Sequence, residues 1–382
     1  MNRKIISFVL LVAIILMACN TKQKNDLKTH LYPLSTNPAT LVKADDQIKT
    51  IKTLANVCDG KLYMIEYQSD YKLSEIIDKG AASSEELTKL LYTYLLNNST
   101  KDSKAEMDAG CSAFCVKSPD GDVLCGRNFD YRFVSSANVL VQNTPVDSKS
   151  FKSLGIAAMP FLDSDVFKAG SLSDGKTDIS PVLAVPYLCM DGVNEKGLFI
   201  CVLSLRGGGA VQHDASKTNT VPSLAIREIL DQATTVQDAI NVFAKHNFFA
   251  DGEDSPNNYH FLIADATGKS VVLEYTRPEG KTDWVMNILD EDHVTNFYLS
   301  KGWGSIGVGQ NRYEIIDKTL NEKNRVMTEE ECMDLLQSVC QQLDPKEVTS
   351  NTQWSVVYNL TKGTATICVD KDYKKQFHFN IR

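Results

Sequence analysis

From residue 111 onward the chain is punctuated by four turn signals, each set between two short β-rich runs, and this rhythm constrains the fold more than any other feature. Residues 111–117 and 122–129 flank Ser118-Pro119-Asp120-Gly121, and 182–190 and 198–205 flank Val193-Asn194-Glu195-Lys196-Gly197. Residues 260–264 and 270–275 flank Asp265-Ala266-Thr267-Gly268, and 354–360 and 364–369 flank Thr361-Lys362-Gly363. Runs of this length closed by glycine-bearing turns predict hairpins, so the pairing is mainly antiparallel. Helical spacing occupies the intervals: 222–232 and 236–246 carry apolar residues three and four apart, 312–320 reads as helix, and the capping box Thr328-Glu329-Glu330-Glu331 opens a helix to about residue 342. Strands such as Phe199-Ile200-Cys201-Val202-Leu203 are apolar on both faces and must be covered on both. A layered α+β fold follows. The net charge of -8, with no Lys/Arg stripe to reverse it, argues against a nucleic-acid partner.

The first 110 residues have a different texture. Arg3 and Lys4 precede an apolar run over 5–18, which is shorter than the ~20 residues a spanning helix needs and predicts a cleavable export signal. The run ends Leu16-Met17-Ala18-Cys19, which resembles the lipobox of bacterial lipoproteins. That resemblance implies a lipid on Cys19, a polar tether over 20–28 and a membrane-anchored position in a bacterial cell envelope, periplasmic or outer-membrane. The alternative is an ordinary signal with a chance cysteine. Ser83-Ser84-Glu85-Glu86 boxes an amphipathic helix over about 84–97, and the polar stretch 97–110 marks a boundary. The organisation expected is therefore 1–18 signal, 19–110 tether and prosegment, and 111–382 the main domain.

Ten cysteines fall along this chain. Export would expose them to an oxidising compartment, yet their spacings suggest no paired framework. Cys115 and Cys125 read as core, as do Cys58, Cys189, Cys201, Cys332, Cys340 and Cys368. Zinc competes weakly, because Cys111, Cys115 and Cys125 lack the close paired spacing of structural sites; neither a metal nor a cofactor is expected.

Cys111 stands apart. With the first turn centred near Asp120, opposed residues sum to about 240, which sets Cys111 opposite Phe129 and beside Arg127 and Asp130. A cation beside a thiol favours the nucleophilic thiolate, and a carboxylate there can hold an ammonium or orient the guanidinium. A strand cysteine beside an ordinary ion pair fits the same pattern, and a one-residue slip would exchange the faces.

Cys111-Ser112-Ala113-Phe114, Asp120-Gly121 and Gly126-Arg127-Asn128-Phe129-Asp130 resemble the opening of the linear-amide C–N hydrolases, which include bile salt hydrolases, penicillin V acylases, acid ceramidase and N-acylethanolamine acid amidase. Asp191 to Leu198, the hairpin at 260–275, Thr295-Asn296, Asn311-Arg312-Tyr313 and Trp354 to Leu360 continue the pattern in order over nearly all of 111–382.

The resemblance implies an N-terminal-nucleophile hydrolase: an αββα sandwich of two mainly antiparallel sheets, here preceded by a largely helical prosegment. It implies autoproteolysis between Gly110 and Cys111, with the cleaved prosegment remaining bound. Gly110, lacking a Cβ, suits the strained backbone such an attack needs. Arg127 would support the thiolate or bind the leaving group, Asp130 would hold the new amino terminus, Asn296 would donate to the oxyanion and Arg312 would complete the charge network. Where bile salt hydrolases carry an asparagine at the second oxyanion position, Ser204 stands here; if the donor is the backbone N–H, which any non-proline residue supplies, catalysis survives the change. His213, His246, His260 and His293 are read as structural. The substrate implied is a small N-acyl amide. Two other functions share the pattern: an acyltransferase of the acyl-CoA:6-aminopenicillanic acid type, and a catalytically silent lipoprotein that binds acyl amides. The joint presence of Cys111, Arg127, Asp130, Asn296 and Arg312 argues against the last, because binding alone needs no nucleophile.

Overall fold

The computed structural model describes residues 32–33, 37–42, 44–97, 110–252, 255–343 and 350–381. The signal over 1–18, Cys19 with its lipobox, the tether over 20–28 and most of the polar boundary stretch lie outside the described residues.

Each predicted hairpin forms, and two sheets collect them. The smaller sheet has six strands in the order His293–Val294, Ser112–Lys117, Val123–Asp130, Thr352–Asn359, Thr364–Val369, Phe377–Asn380, all neighbours antiparallel. The larger sheet runs Tyr32–Pro33, Ala55–Cys58, Leu62–Tyr67, Asn138–Asn143, Ser153–Ala158, Cys189–Asn194, Phe199–Arg206, Asn257–Ala264, Ser270–Thr276, Val285–Leu289. From Ala55–Cys58 onward its pairs are antiparallel apart from Leu62–Tyr67 with Asn138–Asn143, which is parallel.

Alternation sorts the smaller sheet's side chains to two faces. Phe114, Val116, Leu124 and Val357 pack with Ile316, Leu320, Met333 and Leu336 of the helices Gln310–Glu322 and Glu329–Ser338. The opposite face sends Arg127, Trp354 and Tyr358 to Asp191 on the larger sheet. The larger sheet is covered in turn by Pro222–Gln232, which packs on Cys189–Asn194 and Phe199–Arg206. Helix, sheet, sheet, helix is the resulting order, as expected. Gly126 is required by this packing, since a Cβ there would lie 2.6 Å from the Phe114 ring.

Three findings modify the sequence reading. The run over 182–190 is a strand only from Cys189; Ser180–Tyr187 is a 3-10 helix, because Pro181 and Pro186 cannot donate to a ladder. The segment ahead of residue 110 holds the expected helix, Ser84–Leu95, with Ser83 accepting from the Glu86 N–H, and also the helices Asp45–Ile51 and Leu73–Lys79. It further adds the pair Ala55–Cys58 and Leu62–Tyr67 to the larger sheet, strands that periodicity alone did not reveal. Pro33–Arg382 consequently form one compact unit. Finally, Cys115 and Cys125 are not merely core: they form a disulfide. They stand directly opposite each other in the hairpin register, with Cα atoms 4.1 Å apart, so the strand pairing itself brings the two sulfurs together.

Candidate active site

The first hairpin adopts the register that sets opposed residues to a sum of 240: Ser112 faces Asn128 and Ala113 faces Arg127. Cys111 is the residue just before the strand and is 1% exposed. Its Sγ lies 3.5 Å from Nη2 of Arg127, whose guanidinium also donates to the Val202 carbonyl at 2.6 Å and to Asp191 at 2.5 Å. Asp191 is fixed by two further donors, Trp354 Nε1 at 2.9 Å and the Tyr358 hydroxyl at 2.6 Å. Arg127 is fully buried and its burial works against the charge, but Cys111 and Asp191 outweigh that and hold its pKa above the ordinary value.

The thiol behaves differently from the expectation drawn from a neighbouring cation. Burial is the largest influence on Cys111 and raises its pKa; Arg127 and Arg312 lower it, Asp130 raises it again, and the net shift is upward. Arg127 is shared with Asp191 and, while Cys111 stays buried, its charge is outweighed by desolvation. In the uncut chain the thiol form is favoured.

Asn296 follows a bridge across the sheet edge. His293–Val294 pairs with Phe114 and Ala113, and Asn296–Phe297 pairs with Gly307–Val308. Asn296 Oδ1 accepts from the Cys111 backbone N–H at 2.6 Å and from Arg312 Nη2 at 2.9 Å, and its Nδ2 donates to the Ser204 carbonyl at 2.9 Å. Arg312, on the first turn of Gln310–Glu322, also donates to the Cys111 carbonyl at 2.5 Å and the Ser112 hydroxyl at 2.7 Å, and lies 3.9 Å from Asp130. Asp130 accepts from Thr352 at 2.5 Å and Gln341 at 2.7 Å. Burial pushes its pKa up against Arg312, Gln341 and Thr352. Cys111, Arg127, Asp130, Asn296, Arg312 and Ser204, read from the sequence as one site, are thus brought together; in the intact chain the partner of the Cys111 N–H is Asn296.

Gly110 sits at the mouth of this cluster. A cavity of about 450 Å³ is lined by Gly110, Ser204, Arg206, Asn296, Arg312 and Gln341 among others, but not by Cys111. A Cβ on Gly110 would lie 2.4 Å from Gln341 Nε2 and 2.5 Å from Ser350 Oγ. A Cβ here would displace the ends of the Gln341 and Ser350 side chains, whereas the backbone of Gly110 is not left-handed.

Three contributors escaped the sequence reading. Asp191 was visible only as part of a motif, and its burial beside Arg127 gives it a role. Gln341 had no motif. His260 is structural, as expected, but its place is specific: Nε2 donates to the Thr295 carbonyl at 2.6 Å, and Glu274 lies 3.4 Å from Nδ1. That contact fixes the residue next to Asn296.

Residues 111–281 match the family model of the linear amide C–N hydrolases, choloylglycine hydrolase family, a match that opens on Cys111. The kinship read from the sequence is borne out, and this segment is that of a hydrolase acting on carbon–nitrogen bonds other than peptide bonds in linear amides. Among solved structures, a mutant of the conjugated bile acid hydrolase from Clostridium perfringens is similar at 16% identity and a TM-score of 0.48, covering 71% of this chain and 92% of that chain. The penicillin V acylase from Agrobacterium tumefaciens is similar at 18% identity and a TM-score of 0.42, covering 68% and 83% respectively. No curated protein matches the chain.

Proposed function

We propose that this is an exported, lipid-anchored amidohydrolase that cleaves its own Gly110–Cys111 bond and then hydrolyses a small N-acyl amide through a thioester on Cys111. The observation that carries the reading is the burial of Cys111 behind Gly110 at the end of the cavity: the uncut chain shields the one thiol that Arg127, Asn296 and Arg312 surround. In maturation Cys111 Sγ attacks the Gly110 carbonyl carbon, the C–N bond breaks and its nitrogen takes a proton, and water then hydrolyses the thioester to leave a Gly110 carboxylate and a free Cys111. The new α-amino group, with a reference pKa of about 7.7–8.0, is suited to serve as base for its own thiol near neutral pH.

In turnover the thiolate attacks the substrate carbonyl, and Asn296 Nδ2 with the Ser204 backbone N–H stabilises the oxyanion; one such donor is worth roughly 3–4 kcal/mol in the transition state. Asp130 holds the ammonium form of the amino terminus and Arg127 the thiolate. The amine leaves, and water releases the acid. The Cys115–Cys125 disulfide supports export, because such bonds persist in oxidising compartments. The anchor rests on Cys19 and its lipobox. A panel of penicillin V, conjugated bile acids, N-acylethanolamines and ceramides tests the activity. Release of amine by the wild type, with an acyl adduct on Cys111 and none in Cys111→Ala, is the result expected; equal turnover by Cys111→Ala would refute it. Products formed only with an added amine acceptor would assign the acyltransferase instead.

A further inference from the structure

The geometry points to Gln341 as the residue that activates the Gly110 carbonyl for chain cleavage, a role resting on the reading that this bond is cut. Gln341 Nε2 donates to the Gly110 carbonyl oxygen at 2.9 Å and to Asp130 Oδ2 at 2.7 Å. Both neighbours are acceptors, so the amide orientation is fixed: the nitrogen must face them and its two hydrogens are both committed. The backbone holds it there. Gln341 N–H donates to Thr352 Oγ1 at 2.8 Å, Thr352 N–H returns a bond to the Gln341 carbonyl at 3.0 Å, and Thr352 Oγ1 donates to the other Asp130 oxygen at 2.5 Å.

When Cys111 Sγ bonds to the Gly110 carbonyl carbon, the C=O electron pair moves onto the oxygen that Gln341 already faces. The oxyanion collapses to a thioester as the peptide nitrogen leaves with a proton, and water completes the cleavage. A preorganised donor at that oxygen stabilises the charge as it develops, without reorganisation at the moment of reaction. Arg312 and Asn296 address the other side of the scissile peptide, at the Cys111 carbonyl and N–H. The oxygen that Gln341 faces belongs to the peptide that is cut, so this role belongs to maturation rather than to turnover.

The test follows cleavage of newly synthesised full-length chain by mass over time. Gln341→Met, which keeps the length but cannot donate, should cleave on the order of 100-fold more slowly than wild type. Gln341→Glu supplies a donor only when protonated, so its rate relative to wild type should rise as pH falls; because it also sets a carboxyl against Asp130, the ratio is read in an Asp130→Asn background, where that repulsion is absent and a packing role would leave it flat. Cleavage of folded Gln341→Met within about threefold of wild type would overturn the assignment, that being far below the loss of an oxyanion donor. If Gln341→Met does not fold, the Gln341→Glu ratio decides: a rise at low pH supports the role and a flat ratio overturns it. A wild-type chain that never cleaves would overturn the maturation reading itself, an outcome distinct from a wild type and variants that all cleave alike.

Discussion

At the residue scale, the site is governed by how little room surrounds the Gly110–Cys111 peptide. Gly110→Ala would place a methyl group against Gln341 Nε2 and Ser350 Oγ. We expect it to destabilise the uncut chain by about 1–3 kcal/mol through overpacking and to slow cleavage, measured by denaturant melts and by fragment mass; unchanged cleavage would show that the crowding is relieved elsewhere. Asp191→Ala would leave the Arg127 charge buried and unpaired, a loss of about 3–5 kcal/mol readable in the same melts. Cys111, Arg127 and Asp130 were readable from the sequence because hairpin register converts numbering into adjacency, whereas Asn296, Arg312 and Ser204 were placed only by the family resemblance. The thiol's protonation was not. It depends on burial and on Asp191 sharing Arg127, and both are tertiary facts.

At the element scale, the crossing over 293–297 connects the smaller sheet to Asn296 beside Ser204, and Glu274 holds it. Its carboxylate accepts from the Ser300 N–H at 2.6 Å and the Leu299 N–H at 3.2 Å while facing His260, which donates to Thr295. Burial alone would raise the Glu274 pKa, but His260 and Ser300 outweigh it and hold it below the ordinary value. A depressed carboxylate contributes stability that is fully present above its unfolded pKa of about 4.3 and is lost as pH falls through the lower folded value. Wild type should therefore exceed Glu274→Gln by about 1–3 kcal/mol near neutrality, with the gap closing under acid; a gap independent of pH would contradict this. Hairpins and capped helices were legible because turn residues and capping boxes act locally. Ser180–Tyr187 and the Cys115–Cys125 bond were not: the first required weighing two prolines against an apolar run, and the second required trusting the register that had already placed the two cysteines opposite each other.

At the scale of the whole molecule, the segment before residue 110 is part of the larger sheet. Leu62–Tyr67 pairs along its full length with Asn138–Asn143, and the Tyr67 hydroxyl donates to the Leu183 carbonyl at 2.8 Å. The Asp59-Gly60 turn between Ala55–Cys58 and Leu62–Tyr67 is a local hairpin signal like the other four, but the parallel partner, more than seventy residues away, leaves no local pattern. Cutting after Gly110 would break one peptide bond and none of this ladder, so the two fragments should co-elute in native buffer and separate only in denaturant. Fragments that part on their own would refute that expectation.

On the function proposed above, cleavage delivers Cys111 as the first residue of the catalytic chain. Intact mass and N-terminal sequencing of the protein made from its full-length sequence, denatured beforehand, decide it. The prediction is two chains, the second beginning at Cys111, with Cys111→Ala remaining a single chain that turns over no amide. A wild-type protein that stays in one piece while hydrolysing its substrate at full rate would contradict it.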